Sequence, residues 1–108
     1  MTKRYAIKVS NLFERKIDDL SDYFEETDYR YFNYIYNLIL DKFDLISENP
    51  LMYPALSKKL RKIVIPEIKY NIYYNIYEAE NIIYVVNMFS FKEEQTEKII
   101  RRGLSKPL

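Results

Sequence analysis

Lys59-Leu-Arg-Lys-Ile-Val-Ile-Pro-Glu-Ile-Lys-Tyr-Asn-Ile-Tyr-Tyr-Asn-Ile-Tyr77 runs into a polar break, Glu78-Ala-Glu-Asn81, and then into Ile82-Ile-Tyr-Val-Val-Asn-Met-Phe-Ser-Phe91. From Ile68 onward, Ile68, Tyr70, Ile72, Tyr74 and Ile76 fall on one side of an extended chain, and Lys69, Asn71, Tyr73, Asn75 and Tyr77 on the other. The period of two with one apolar face predicts a strand, and the break at Glu78–Asn81 predicts a hairpin to a second. With no glycine at that turn, Asn81 is the residue best able to take the left-handed conformation. A third strand precedes them: Leu60 and Val64 share one side, Arg61, Ile63 and Ile65 the other, and Pro66 ends it by removing a ladder donor.

Upstream the period changes. Tyr5-Ala-Ile-Lys-Val9 alternates weakly and predicts a short first strand. Asn11 is read as a helix N-cap, with Glu14 three residues on to complete a capping box. Apolar residues at Phe13, Ile17, Leu20 and Phe24 draw one stripe along a helix over residues 12–25. After a polar break at Glu26-Thr-Asp28, whose Thr27 or Asp28 is available as a cap, Phe32, Ile35, Ile39, Phe43 and Ile46 form a second stripe, widened by Leu38 and Leu45. Pro50 disfavours helix at Asn49, so the second helix is expected to end near Glu48. Two such helices fold back as an antiparallel hairpin. Asn49–Ser57 carries two prolines and no period, and reads as an ordered loop into the sheet. Downstream, Ser90 with Glu93, acids at 93 and 94, bases at 98, 101 and 102 and Gly103 predict a short C-terminal helix. The expected fold is α+β: an N-terminal strand, a helical hairpin packed on a mostly antiparallel sheet of about four strands, and a terminal helix.

A chain of 108 residues is one domain with a single core, here expected to span residues 1–108. It has neither cysteine nor histidine, which excludes disulfides, thiolate metal sites and catalysis by Ser-His-Asp or Cys-His sets. Net charge is +1, from 17 basic and 16 acidic residues, so any surface for a polyanion must be local rather than global. No apolar run reaches the length of a membrane span, and Met1-Thr-Lys-Arg leads into a mixed strand rather than a signal-peptide core, so a cytoplasmic protein is expected.

The densest basic cluster is Lys58, Lys59, Arg61 and Lys62. Beside Tyr70, Tyr73 and Tyr74 it can hold phosphates while rings stack on bases; the same alternation of cations also protects an exposed sheet edge or marks a partner-binding strand. Asp18, Asp19, Asp22, Glu25 and Glu26 match no calcium or zinc spacing and read as a solvated helix face. Tyr29, Tyr31, Tyr34 and Tyr36 spread around their helix and read as packing or interface residues. Lys98, Arg101 and Arg102 suit a helix C-terminus, whereas Lys92 follows the last strand at a place where a site can form.

Taken in order, Tyr5-x-Ile7, Ile17-Asp-Asp-Leu20 with Asp22-Tyr23, the Pro50-to-Pro54 loop, Leu60-Arg61-Lys62, the strand Lys69–Tyr77 and Ile82-Ile-Tyr-Val-Val86 resemble the RelE/ParE superfamily of bacterial type II toxins over nearly the whole chain. The resemblance implies a small cytoplasmic α+β domain of the toxin–antitoxin and plasmid-stabilisation class, bound and neutralised by a cognate antitoxin, with no cofactor and no metal. Some such proteins cleave mRNA in the ribosome; others inhibit DNA gyrase.

This chain departs from the mRNA-cleaving pattern. Asn71 stands where those relatives carry an arginine that steadies the scissile phosphate. The stretch after strand four reads Phe89-Ser-Phe-Lys-Glu-Glu94 instead of bearing histidine or arginine, and Glu97 falls near a position where some relatives place a tyrosine. Metal-free RNA cleavage needs a base for the 2′-hydroxyl, a donor for the leaving oxygen and cations for the phosphate. The residues available for it are Lys59, Arg61, Lys69, Tyr73 and Lys92; for target binding they are Lys58, Lys59, Arg61, Lys62 and Lys92. The near-neutral charge also differs from the more basic ribosome-directed relatives. The leading expectation is therefore a toxin acting by a ParE-like, non-nuclease route on gyrase. The alternatives are a ribosome-dependent mRNA endonuclease and a degenerate fold that only binds its antitoxin. In each case the sheet edge and the groove beside the helical hairpin are the expected partner surfaces.

Overall fold

The computed structural model describes residues 4–94. Its elements are β1 (Ala6–Val9), α1 (Asn11–Glu25), α2 (Tyr29–Glu48), β2 (Leu60–Ile65), β3 (Tyr70–Tyr77) and β4 (Ile82–Ser90). One mixed sheet has the order β1-β4-β3-β2. β2, β3 and β4 form an antiparallel meander, and β1 joins the far side of β4 in parallel, Ala6 opposite Ile82 and Val9 opposite Val85. A parallel partner needs a crossover; here the whole helical hairpin and two strands separate the pair. The predicted C-terminal helix lies outside the described residues.

The core sits between one sheet face and the two helices. Phe13 from α1, Ile35, Ile39, Phe43 and Ile46 from α2, Ile63 and Ile65 from β2, Ile72, Tyr74 and Ile76 from β3 and Ile83, Val85 and Met88 from β4 make one cluster. All five residues of the predicted α2 stripe are buried. Leu38 packs against the cluster, but Leu45 stays 47% exposed, so the widened stripe is one-sided. The turn residue Asn81 has φ 56°, as expected where glycine is absent, and Lys69 takes φ 58° in the β2–β3 turn.

One local expectation is corrected. The N-cap of α1 is Ser10, not Asn11: Ser10 is extended, and its Oγ accepts the Phe13 N–H at 3.0 Å. The cap moves one residue back because β1 runs almost directly into the helix, with the Ser10 N–H still paired to the Val85 carbonyl. The Ser10 hydroxyl also donates to the Val86 carbonyl at 2.5 Å. That carbonyl is left over by a bulge: Tyr73 pairs with Asn87 and Tyr74 with Val85, so Val86 has no opposite residue.

The Asn/Tyr face of β3 is buried as well. Asn71, Tyr73 and Asn75 are 4%, 0% and 8% exposed, and Tyr73 packs with Leu60, Val86, Tyr84 and Phe89 in a second cluster on the side away from the helices. On that face side chains of β2 and β4 pack over Tyr73, while the helices cover the other face.

Candidate functional site

The side of the sheet away from the helices carries a small polar cluster. Lys62 of β2 lies directly opposite Tyr73 of β3, and Asn71 is the next residue of β3 on that face. Glu94 closes the group from the turn after β4. There the Ser90 N–H donates to the Glu93 carboxylate at 2.8 Å and the Glu93 N–H donates to the Ser90 hydroxyl at 3.3 Å. This reciprocal pair is the capping box anticipated from the sequence, and it fixes the turn that brings Glu94 back over β3.

Glu94 Oε1 accepts from the Tyr73 hydroxyl and lies 3.1 Å from Lys62 Nζ, while Oε2 accepts from Asn71 Nδ2. The Lys62 and Glu94 side chains are only 24% and 9% exposed, so the ion pair is shielded. Phe89 meets the Tyr73 ring edge-on at 6.0 Å, and Lys62 Nζ sits 5.9 Å from its centroid. The other end of the amide, Asn71 Oδ1, is buried and has no hydrogen-bond partner among the described residues. Such an oxygen forgoes its water without compensation. Chemically the cluster brings together an ammonium, a phenol, an amide and a carboxylate.

The residues singled out from sequence are distributed along the sheet. Lys58, Lys59 and Arg61 lie at the start of β2, lining a cleft of about 490 Å³ with Tyr77, Glu78 and Glu80. Arg61 points to the helix side, where its guanidinium donates to the Tyr53 carbonyl at 2.5 Å and reaches that of Leu51 at 3.4 Å, holding the proline loop. Lys59 Nζ lies 5.2 Å above the Tyr77 ring. Exposed Lys69 and Lys92 are at the opposite end, in the turn before β3 and the turn after β4. At about 3.3 Å per residue the six residues of β2 hold the two ends roughly 17 Å apart. Of Lys59, Arg61, Lys69, Tyr73 and Lys92, only Tyr73 enters the polar cluster, and of the proposed target-binding cations only Lys62 does. The sequence reading missed Glu94 because it served there as a first-turn helix acid. The usable signal was the strand register that sets Lys62 against Tyr73.

A second missed residue is Lys16. It reaches from α1 to the edge of β4 beyond the end of β1, where it donates to the Met88 carbonyl, lies 3.7 Å from the Phe89 centroid and 4.0 Å from Glu93. Lys16 thus satisfies a β4 carbonyl beyond the end of β1, and Ser10 the one left over at the bulge. Burial lowers the Lys16 pKa below the usual lysine value, against the opposing pull of Glu93. With Asp19, Leu20, Tyr70 and Glu93 it lines a cavity of about 240 Å³, and burial, then Glu93 and Tyr31, raises the pKa of Tyr70. A third depression of about 410 Å³ is apolar and runs between β1 and the helices, past Ile7, Val9, Phe13, Ile17, Tyr36 and Leu40. Among the described residues no group of acids is placed to hold a metal ion, and no helix is long and apolar enough to cross a membrane.

A helical hairpin on one face of a β1-β4-β3-β2 sheet, with polar side chains gathered on the other, is an α+β fold shared with solved toxin structures. The chain has the RelE toxin fold. A doubly substituted Escherichia coli RelE toxin in the free state superposes with a TM-score of 0.66 at 12% identity, covering 97% of this chain and 99% of that one. The RelBE2 toxin–antitoxin complex of Mycobacterium tuberculosis matches with a TM-score of 0.57 at 12% identity over 81% of this chain and 91% of that one. The archaeal RelE–RelB complex of Pyrococcus horikoshii gives 0.51 at 15% identity, over 87% and 100%. No protein-family model and no curated protein matches the sequence.

Proposed function

We propose that the chain is the toxin subunit of a type II toxin–antitoxin pair, acting in the cytoplasm as a single domain without a cofactor, and that it arrests growth by a ParE-like, non-nuclease route through DNA gyrase. Support for the toxin role comes from the end-to-end fold match and from neighbours solved as RelE–RelB complexes. The polar cluster carries the non-nuclease reading. Asn71 supplies no positive charge, and Lys62 and Tyr73 are both engaged by Glu94, so among the described residues no free cation faces a scissile phosphate there.

The antitoxin is expected along the apolar groove between β1 and the hairpin and at the free edge of β1, as an amphipathic helix and an added strand. Induced expression without an antitoxin tests the toxin role: growth arrest relieved by the neighbouring small reading frame supports it, and normal growth refutes it in favour of a degenerate fold. Supercoiling by purified gyrase in the presence of the protein tests the target.

Ribosome-dependent mRNA cleavage is the second reading, favoured by the ammonium, phenol and carboxylate that Lys62, Tyr73 and Glu94 place together. Toeprinting on translating ribosomes separates the two. Codon-specific breaks that vanish in Tyr73→Phe or in Lys62→Ala would establish the nuclease.

A further inference from the structure

The tip of the helical hairpin is charged against the interest of its own helices. Residues 18–36 hold six acids, Asp18, Asp19, Asp22, Glu25, Glu26 and Asp28, against one base, Arg30, a local net charge of −5 in a chain of net +1. All six are exposed, and among the described residues only Asp28 forms an ion pair, with Arg30 at 3.7 Å. Glu25 and Glu26 close α1, where the helix dipole disfavours negative charge, and the last turn of that helix has no basic residue to compensate. Asp28 stands at the N-cap of α2 without capping it through its side chain. Lysine at the end of α1 would serve folding better, and local rules are broken in this way where a surface has a use.

A row of rings runs through the same surface. Tyr23 meets Phe24 edge-on at 4.8 Å, Phe24 meets Tyr31 edge-on at 5.1 Å across the turn between the helices, and Tyr31 stacks on Tyr34 at 6.0 Å. Phe24 packs against the core and anchors the row, while Tyr23, Tyr31 and Tyr34 are exposed. The rings are therefore held in place before anything binds, which lowers the cost of binding. Asp19 and Glu26 share the helix side of Tyr23, at four residues before and three after, and Asp28 lies three before Tyr31. Exposed rings bordered by carboxylates suit a guanidinium, which stacks on a ring while its N–H fork pairs with an acid. We propose that the hairpin tip is a docking surface for an arginine-rich polypeptide segment of another protein. It is distinct from the apolar groove, which runs between β1 and the helices past Ile7 and Val9. The inference stands on the tip alone, whatever the toxin's target.

Fluorescence anisotropy tests it, with the full chain and a short labelled peptide in which arginine alternates with serine. Tyr34→Ser removes an exposed ring and should weaken binding about two- to fivefold. Tyr34→Phe keeps the ring and should bind like wild type, which separates lost stacking from lost fold. Glu25→Gln with Glu26→Gln should weaken binding about fivefold while raising Tm, because it relieves the end of α1. Glu78→Gln with Glu80→Gln removes the same charge from the cleft at the start of β2 and should change affinity by less than about twofold. A lysine version of the peptide, equal in charge but without the planar fork, should bind about two- to fivefold more weakly than the arginine one. Equal losses from the tip pair and the cleft pair would overturn the proposal, as would wild-type binding by Tyr34→Ser or equal affinity for the two peptides. Self-association in sedimentation that disappears in Tyr34→Ser would assign the tip to a second copy, with its basic cluster at residues 58–62 as the occupant, and so refute a foreign partner. Tighter peptide binding by Arg101→Ser with Arg102→Ser would refute it too, in favour of the chain's own C-terminal segment.

Discussion

Replacing Ser10 with alanine removes two hydrogen bonds made by one oxygen. The hydroxyl accepts the Phe13 N–H at the first turn of α1 and donates to the Val86 carbonyl freed by the β4 bulge, in a residue only 7% exposed. Loss of the cap costs about 1 kcal/mol, and the stranded carbonyl adds about 1–3 kcal/mol, so Ser10→Ala should destabilise by about 2–4 kcal/mol. For a domain of this size that is a fall in Tm of roughly 8–16 °C. Urea unfolding followed by circular dichroism measures it. Two further variants divide the total. Ser10→Gly costs the cap only a few tenths of a kcal/mol but still strands the carbonyl, so about 1–3 kcal/mol of loss should persist. Ser10→Thr retains the hydroxyl and should stay within about 1 kcal/mol of wild type. Asn11→Ala, at the exposed neighbouring position, should fall within about 0.5 kcal/mol. A Ser10→Ala protein as stable as wild type, or an Asn11→Ala protein less stable than Ser10→Ala, would refute this account of the helix start.

Arg61→Ala should cost about 1–3 kcal/mol by releasing the Tyr53 and Leu51 carbonyls, and it should speed proteolysis within 49–57; unchanged cleavage would show that the loop holds itself. The Tyr74 hydroxyl, buried and donating to the Pro50 carbonyl at 2.6 Å, has its pKa pushed up to about 12, chiefly by burial. Because the folded value is the higher one, its contribution is complete below pH 10 and is lost between about pH 10 and pH 12. The stability difference between wild type and Tyr74→Phe should therefore shrink across that window, and a pH-independent difference would refute it. After reductive methylation with a carbon-13 label, the Lys16 amine should titrate below the other lysines, as burial requires. A shared titration curve would place Lys16 in solvent.

Much of the fold was legible because its signals are periodic. The α2 stripe and the alternation of β3 predicted which side chains meet, and Asn81 was identifiable because no glycine was available at that turn. What escaped the reading depends on partners distant in the chain. Ser10 became the cap because a parallel pairing with β4 places it, and that pairing leaves no local trace. Burial of the Asn/Tyr face of β3 left no local trace, because it comes from side chains of β2 and β4 that pack over Tyr73. The site was less legible than the fold. Its cations were counted as one basic cluster, but strand alternation turns Arg61 to one side of the sheet and Lys62 to the other. Glu94 carried two meanings, helix acid and ligand for Lys62, and only the turn at Ser90–Glu93 decides between them.

The parallel seam between β1 and β4 also sets the order in which this protein comes into being. Ala6 waits for Ile82, and Ser10 waits for a carbonyl 76 residues further along. At synthesis rates of about 5–20 residues per second, that interval is roughly 4–15 s. The helical hairpin can form from local contacts meanwhile, but the sheet closes only when its last strand has been made. Until then neither the polar cluster nor the completed β1 edge exists.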